Sequence, residues 1–273
     1  MIDLHLHSRA SDGSLKPAQL VQLCAERGVQ MLALTDHDCL RGLEEARLAS
    51  RAADIRFIPG VEISVTWEHK TLHVVGLNID ADSPVLKTGL ARMQQERIER
   101  AREIGRRLEI RGYPGACAGA LALAEQGNVT RTHFARWLQA NGHAGSMQKA
   151  FQRLLAYGKP GYVASNWAGL EECIRWIHAA GGMAVLAHPL RYRMTRTWLM
   201  RALDEFKQAG GDGIEVICGG GNRDEHAAAS HYAKRFQLSA SVGSDFHSPA
   251  AGWNQPGIDS CLLQNLAPVW ECF

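Results

Sequence analysis

Short apolar runs recur along the first 80 residues and again beyond residue 180, most of them separated by helical patterns. Strand-like runs fall at 2–6, 31–35, 55–58, 61–65, 72–79, 183–187, 213–217 and 238–243. In Ile2-Asp3-Leu4-His5-Leu6-His7, apolar and polar positions alternate, as in a half-buried strand. Helical periodicity covers 17–27, 43–53, 170–180, 197–209 and 223–236. This alternation predicts an α/β fold with a largely parallel sheet. Too few residues separate Val61-Glu62-Ile63-Ser64-Val65 from the run at 72–79 for a helical crossover, so the two should form an antiparallel hairpin. A regular eightfold barrel is thereby disfavoured, and a distorted (β/α)7 barrel of about seven strands fits better.

The alternation breaks at 86–159. A long helical pattern (86–111) leads to the turn Gly112-Tyr113-Pro114-Gly115, followed by shorter helical patterns near 116–126, 131–140 and 146–156. Gly158-Lys159-Pro160-Gly161 marks the return. The expected organisation is a barrel from 1–85 and 160–273, with a small helical insertion domain, 86–159, capping one face. Net charge is only +2, but 86–159 carries 13 Lys/Arg against 5 Asp/Glu, and the remainder 17 against 23. Such asymmetry suggests an anionic partner near the junction. Within the long helix, Glu96, Glu99 and Glu103 interleave with Arg97, Arg100, Arg102, Arg106 and Arg107. That spacing suits i,i+4 pairing, so most of this helix reads as a solvated face.

A chain of 273 residues can bury a sizeable core. It holds no apolar run long enough to span a bilayer and no signal-peptide pattern, so no membrane association is expected. Its seven cysteines (24, 39, 117, 173, 218, 261 and 272) are scattered and form no CxxC. They suit a reducing compartment, the cytoplasm by default, and exclude a disulfide framework or zinc knuckle.

The polar residues at the strand ends carry the chemistry. His5 and His7 share one strand face, and Asp12 follows in the next turn. Thr35-Asp36-His37-Asp38 ends the second strand, Glu62 opens the hairpin and His73 lies in its return strand. His188 and the pair Asp245 and His247 follow later strands. In barrels such ends converge on one open face. A lone histidine there is more often structural than a ligand. Burying nine imidazoles and carboxylates without partners, however, would cost several kcal/mol apiece. Divalent cations supply those partners. Six histidines and three carboxylates suit Zn²⁺, Mn²⁺ or Fe²⁺, are too nitrogen-rich for Mg²⁺ or Ca²⁺, and suffice for three ions.

HLH near the N-terminus, TDHD, GVE, AHP and GSDFH, in that order, resemble the polymerase-and-histidinol-phosphatase (PHP) family of metal-dependent phosphoesterases. The resemblance covers the whole chain and implies a distorted seven-stranded barrel with a trinuclear site. It implies that His5, His7 and Asp245 hold one metal, and that Glu62 bridges it to a second held by His73 and His188. Asp12, His37 and His247 would then hold the third. The implied cofactors are three divalent ions, Mn²⁺ foremost, with Zn²⁺ or Fe²⁺ as alternatives. Such ions turn a bound water into hydroxide, the expected nucleophile, and neutralise phosphoryl oxygens. Asp36, Asp38 and His188 are candidates for proton transfer or for supporting the ligands, and Glu215 for support.

The helical insertion, the stretch Asn128–Phe134 and AGGMAVLAHPLRY resemble one bacterial branch of the family. It includes nucleoside 3′,5′-bisphosphate phosphatases also described as 5′→3′ exoribonucleases. That resemblance implies conversion of pAp to AMP, with stepwise trimming of short 5′-phosphorylated RNA as a related activity. The expected partners are a nucleotide with two phosphates and short RNA; no protein partner is evident.

Phosphate recognition should come from the insertion and from loops beside the ligands. Thr130 reads as an N-cap, which sets Arg131 and His133 at an anion-favouring helix start. Arg191 and Arg193 follow His188, and Ser8 and Arg9 adjoin His7. Arg131 and Arg191 are the favoured clamps for the phosphate that is not hydrolysed. Trp67, Tyr162 and Trp167 suit either base stacking or core packing. Competing readings are a histidinol-phosphate or other small phosphomonoester phosphatase, and a non-catalytic, metal-stabilised nucleic-acid-binding module. A barrel hydrolase of amides or cyclic imides ranks low, because no strand here offers the lysine that often bridges metals in such enzymes.

Overall fold

A computed structural model describes residues 1–125, 128–251, 254–263 and 265–273. Eight strands form one sheet: β1 (Ile2–Asp3), β2 (Met31–Leu34), β3 (Arg56–Trp67), β4 (Lys70–Leu77), β5 (Ala168–Gly169), β6 (Met183–Leu186), β7 (Gly213–Cys218) and β8 (Ser239–Gly243). Seven of them run in the order β1-β2-β3-β4-β6-β7-β8, and β5 pairs beside β3. β4 is antiparallel to both neighbours, whereas the other pairs are parallel. The hairpin reverses through Glu68 and His69, both at positive φ (45° and 63°), the backbone that a two-residue turn requires.

β1 pairs as a regular strand over only two residues, shorter than its alternating pattern implies. The chain continues extended beside the end of β8 and closes the barrel through Leu4 N–H to Val242 O (3.0 Å), Asp245 N–H to His5 O (2.9 Å) and His7 N–H to Phe246 O (3.0 Å). The runs at 55–58 and 61–65 merge into a single strand, β3. Its first part pairs with β2 and its second with β4. Pro59 keeps its carbonyl in use, accepting from Ile79 N–H at 3.2 Å. At Gly60 a side chain would meet Thr35 Cγ2 at 2.9 Å, so strands β2, β3 and β4 can approach here only around glycine.

Helices α1 (Pro17–Glu26), α2 (Leu43–Ala52), α7 (Leu170–Ala179), α8 (Arg196–Gln208) and α9 (Arg223–Phe236) cover the barrel. Leu4, Ala33, Ile58, Val75, Leu77, Val185 and Ala187 fill its interior beneath the site, with Val269 from the C-terminal turn. Between β4 and β5 lie α3 (Pro84–Ile110), α4 (Ala116–Ala124), α5 (Arg131–Ala140) and α6 (Met147–Ala150), which runs into a π-helical turn at Phe151–Leu155. The end of the 116–126 pattern, Gln126, lies outside the described residues. The expected boundary at 86 falls within the continuous helix α3. Leu86, Leu90 and Met93 pack into the barrel's core. Ala101, Ile104 and Leu108 pack instead with Ala116, Ala120, Phe134 and Leu138 in a second core. Among the described residues no helix is long and apolar enough to cross a membrane, and the cysteines carry no disulfide.

Candidate metal centre and active site

The strand ends deliver their polar side chains to one spot. His5 and His7, both fully buried, bring their Nε2 atoms to 3.0 Å from each other. A Cβ at Gly243 would lie 2.2 Å from His5 Cβ, so β8 reaches this histidine only as glycine. His188 and Asp245 leave their strands at positive φ (31° and 55°), and Asp38 does so at 46°. Each costs about 1–3 kcal/mol, strain that the surrounding packing must hold.

Glu62 sits at the centre. Its Oε1 lies 2.9 Å from His73 Nδ1, 3.1 Å from His188 Nε2 and 3.3 Å from His5 Nε2. Its Oε2 lies 2.8 Å from His37 Nδ1 and 3.3 Å from His7 Nε2. Asp245 Oδ1 approaches His7 Nε2 at 3.3 Å and His5 Nε2 at 3.6 Å. Asp12 Oδ1 approaches His247 Nε2 at 3.3 Å and His37 Nε2 at 4.0 Å. Burial alone would push the Glu62 carboxyl up; the imidazoles of His37, His73 and His5 outweigh it and hold the group well below the usual carboxylate range. Asp12 is also held low against its burial, by His247 and His37. His7 rises to about 10 despite burial, because Asp245 and Glu62 favour its proton.

Three sets of side chains bring ligand atoms within 4.8 Å of one another: His5, His7 and Asp245; His7, Asp12, His37 and His247; and His37, Glu62 and His73. The first set has the membership implied by the sequence motifs, and the second adds His7 to the implied Asp12, His37 and His247. In the third, His37 takes the place expected for His188, which still faces Glu62.

These residues fit divalent cations on a direct observation. Asp12 Oδ1, His37 Nδ1, Glu62 Oε2 and His73 Nδ1 are buried without a hydrogen-bond partner. Yet His37 Nδ1 and Glu62 Oε2 are only 2.8 Å apart. The atoms are close but not aligned with each other, as expected where lone pairs aim at a shared point. Unpaired buried groups of this kind are costly, and nitrogen and carboxylate donors suit Mn²⁺, Fe²⁺ or Zn²⁺.

Further carboxylates hold the cluster from behind. Glu215 Oε1 accepts from His5 Nδ1 at 2.5 Å and Oε2 accepts from His188 N–H at 2.6 Å. The first contact fixes which imidazole nitrogen of His5 faces inward, and the second holds the main chain at His188. Asp36 accepts from Ser8 N–H (2.8 Å), Ser8 Oγ (2.6 Å) and Ser11 Oγ (2.6 Å), which shapes the loop between His7 and Asp12. Asp38 accepts from Ser64 N–H at 2.7 Å and pairs with the Arg97 guanidinium. Both are buried acceptors, engaged in holding loops.

A solvent-open cleft of about 560 Å³ lies beside the cluster. Asp12, His37 and His73 line one part of it, and Arg97, Arg100 and Arg131 another, with Phe151 and Trp167 among its apolar walls. Arg97 donates to Ser64 Oγ at 2.8 Å, and Arg100 donates to Val163 O at 3.0 Å. Both guanidiniums lie over the Trp167 ring, at 4.8 and 5.6 Å. Burial, and then the charges of Arg131 and Arg97, pull Arg100 down to about 9. Among the described residues only Arg97 of these three is paired with a carboxylate. The cleft therefore favours an anion.

The profile of the PHP domain matches residues 3–211. The chain belongs to the PHP family. A 5′-3′ exoribonuclease of Haemophilus influenzae is 45% identical over 271 residues, 99% of this chain and 98% of that protein. A 3′,5′-nucleoside bisphosphate phosphatase of Chromobacterium violaceum is also 45% identical, over 99% of this chain and 95% of its own length. A solved amidohydrolase structure from C. violaceum, with bound sulfate and no metal, is similar with a TM-score of 0.92 at 44% identity, covering 99% of this chain and 94% of that one.

All nine candidate ligands of this PHP chain meet in the cluster. The other candidates disperse. Arg131 lines the cleft. Arg191 is exposed near the metal side, its Nη1 4.0 Å from Asp245 Oδ2, and Arg193 is exposed on the same loop. Ser8 is buried and bound to Asp36, and Arg9 pairs with Glu125 at the surface. His133 is buried outside the cleft lining; its Nδ1 accepts from Thr130 N–H at 3.0 Å, closing the cap of α5. Trp67 belongs to the core and donates to Glu205 Oε2 at 2.6 Å, while Tyr162 lies beside Arg131. Arg97 and Arg100 overturn the solvated reading for their part of α3. The sequence did carry a sign of the first: Arg97 falls in the stripe Leu86, Leu90, Met93, Arg97, Ala101, Ile104, Leu108, the buried face of the helix.

Proposed function

We propose that this PHP chain is a metal-dependent phosphohydrolase that removes the 3′-phosphate from nucleoside 3′,5′-bisphosphates, turning pAp into AMP and phosphate. One observation carries the reading: one cleft is lined both by Asp12, His37 and His73 of the metal-type cluster and by three arginines. A substrate with two phosphates suits both at once.

In this reading His5, His7 and Asp245 would hold one cation, Glu62 with His73 and His188 would hold a second, and Asp12, His37 and His247 would hold a third. Mn²⁺ is the favoured ion, with Zn²⁺ or Fe²⁺ as alternatives. Bound cations lower the proton affinity of water and neutralise charge on the phosphoryl oxygens. Glu215 keeps Nε2 of His5 turned into the cluster. Arg97, Arg100 and Arg131 bind the 5′-phosphate, with Arg191 at the metal rim, and so set which phosphate reaches the cluster. Phe151 and Trp167 offer apolar surface to the nucleoside. The segment 86–159 acts as a cap that carries the 5′-phosphate site.

Short 5′-phosphorylated RNA presents a 3′-phosphodiester to the same cluster, and the open side of the cleft leaves room for its continuing chain. Trimming of such RNA follows from the same geometry, and the name of the Haemophilus relative supports it. Histidinol phosphate suits the cleft poorly, because its ammonium group would meet guanidiniums instead of an anion. The complete donor set weighs against a binding module without turnover.

The test is kcat/KM for pAp against 3′-AMP with the Mn²⁺-loaded protein. Two charge-assisted hydrogen bonds to the 5′-phosphate are worth about 100-fold or more in favour of pAp. Equal values would sink the two-phosphate reading.

A further inference from the structure

We propose that the helical segment builds one of the three cation positions, that of Asp12, His37 and His247, with Thr130, Thr132 and Asn128 as its positioning residues. This rests on the three-cation reading above.

The two oxygens of Asp12 have different duties. Oδ2 accepts hydrogen bonds from the hydroxyls of Thr130 and Thr132, each at 3.3 Å. Oδ1 is buried without a hydrogen-bond partner and faces His247 and His37. The main-chain oxygen of Asp12 accepts from Arg136 at 2.8 Å. The proton inventory sets the direction of these bonds. An ionised carboxylate only accepts, so both threonine hydroxyls donate; Thr130 Oγ1 accepts from Thr132 N–H at 3.1 Å and shares its own proton between Asp12 Oδ2 and His133 Nδ1, each 3.3 Å away. His133 in turn accepts the Thr130 main-chain N–H and fixes that residue. His37 is gripped from the same side: Asn128 Nδ2 donates to His37 O at 2.6 Å and to Asp38 O at 3.1 Å.

The grip is one-sided. Among the described residues, no side chain of 86–159 hydrogen-bonds His5, His7, Glu62, His73, His188 or Asp245. The barrel holds those through its own groups, Glu215 behind His5 and His188 and the Tyr192 hydroxyl accepting from His73 N–H at 2.8 Å. Arg131 lies between the two threonines, so the helix start that orients Asp12 also carries an arginine of the cleft. Anion binding and cation binding at Asp12 thereby share one element.

Metal content by elemental analysis and a Mn²⁺ titration test this, with Thr130→Val/Thr132→Val beside the unsubstituted protein. Loss of such supporting hydrogen bonds costs about 10–100-fold in metal affinity. The double variant should therefore keep two tightly held ions and bind the third at least tenfold more weakly. Because Thr130 also caps α5, Thr132→Val alone, which leaves the cap in place, should weaken the third ion selectively. Thr130→Ser/Thr132→Ser should retain all three. Three ions at unchanged affinity in the valine variants, or parallel loss of all three, would overturn the positioning role. Fewer than three ions in the unsubstituted protein would instead overturn the three-cation reading itself.

Discussion

His5 Nδ1 and Glu215 Oε1 lie 2.5 Å apart, and the other Glu215 oxygen accepts the main-chain N–H of His188. One carboxylate thus fixes a ring just after the first strand and the backbone after the sixth. Glu215→Gln keeps the shape but removes the charge behind His5. It should weaken Mn²⁺ binding about 10–100-fold, read by titration calorimetry. Unchanged affinity would assign Glu215 to packing alone.

Arg100 faces the cleft without a carboxylate partner among the described residues, and burial beside two other guanidiniums lowers its proton affinity. Arg100→Met should reduce kcat/KM for pAp by about 10–100-fold, the worth of one charge-assisted hydrogen bond. Turnover of 3′-AMP should stay within about threefold, since the substitution leaves the metal cluster untouched. Equal losses on both substrates would place Arg100 in the scaffold instead of at the 5′-phosphate.

Asp38 and Arg97 form a buried ion pair that ties α3 to the loop carrying His37. Asp38→Ala strands a guanidinium in a buried place and should cost about 3–5 kcal/mol, measured by urea denaturation. The double change Asp38→Ala/Arg97→Met removes the stranded charge and should recover part of that loss. A double variant less stable than the single one would contradict this account of the pair.

Cations should stabilise the fold. The unpaired buried atoms of Asp12, His37, Glu62 and His73 gain partners when ions bind. At free Mn²⁺ of 100 times Kd, each site contributes about 2.7 kcal/mol, and each kcal/mol raises Tm by about 2–4 °C. A Tm unmoved by Mn²⁺ after chelator treatment would argue against metal-type donors.

The barrel and its cluster were readable because both follow from short-range patterns. Alternating apolar runs fixed the strands, the short gap after Val65 fixed the hairpin, and polar residues at strand ends marked the site. The merged strand β3 was hidden because Pro59-Gly60 looks like a break; only tertiary pairing with β2 and β4 keeps it extended. Arg100 was hidden because its spacing to Glu96 and Glu103 suits an exposed helix equally well, and Arg97, with no glutamate three or four residues away, was masked by the charged residues around it although it falls in the apolar stripe. What turns them inward is the packing of α3 on Trp167. His133 misled in the opposite direction: at a helix start it looked available to an anion, but its ring closes a cap. The groups that position Asp12 lie more than a hundred residues away, a separation that no local pattern reports.

The most direct measurement is to identify the products when the Mn²⁺-loaded protein acts on pAp. The account predicts one phosphate and 5′-AMP, because the arginines retain the 5′-phosphate while the 3′-phosphate lies at the cluster, and Glu62→Gln should abolish that release. Formation of 3′-AMP would reverse the assigned orientation. No phosphate release from protein holding its full complement of metal would contradict the phosphatase assignment.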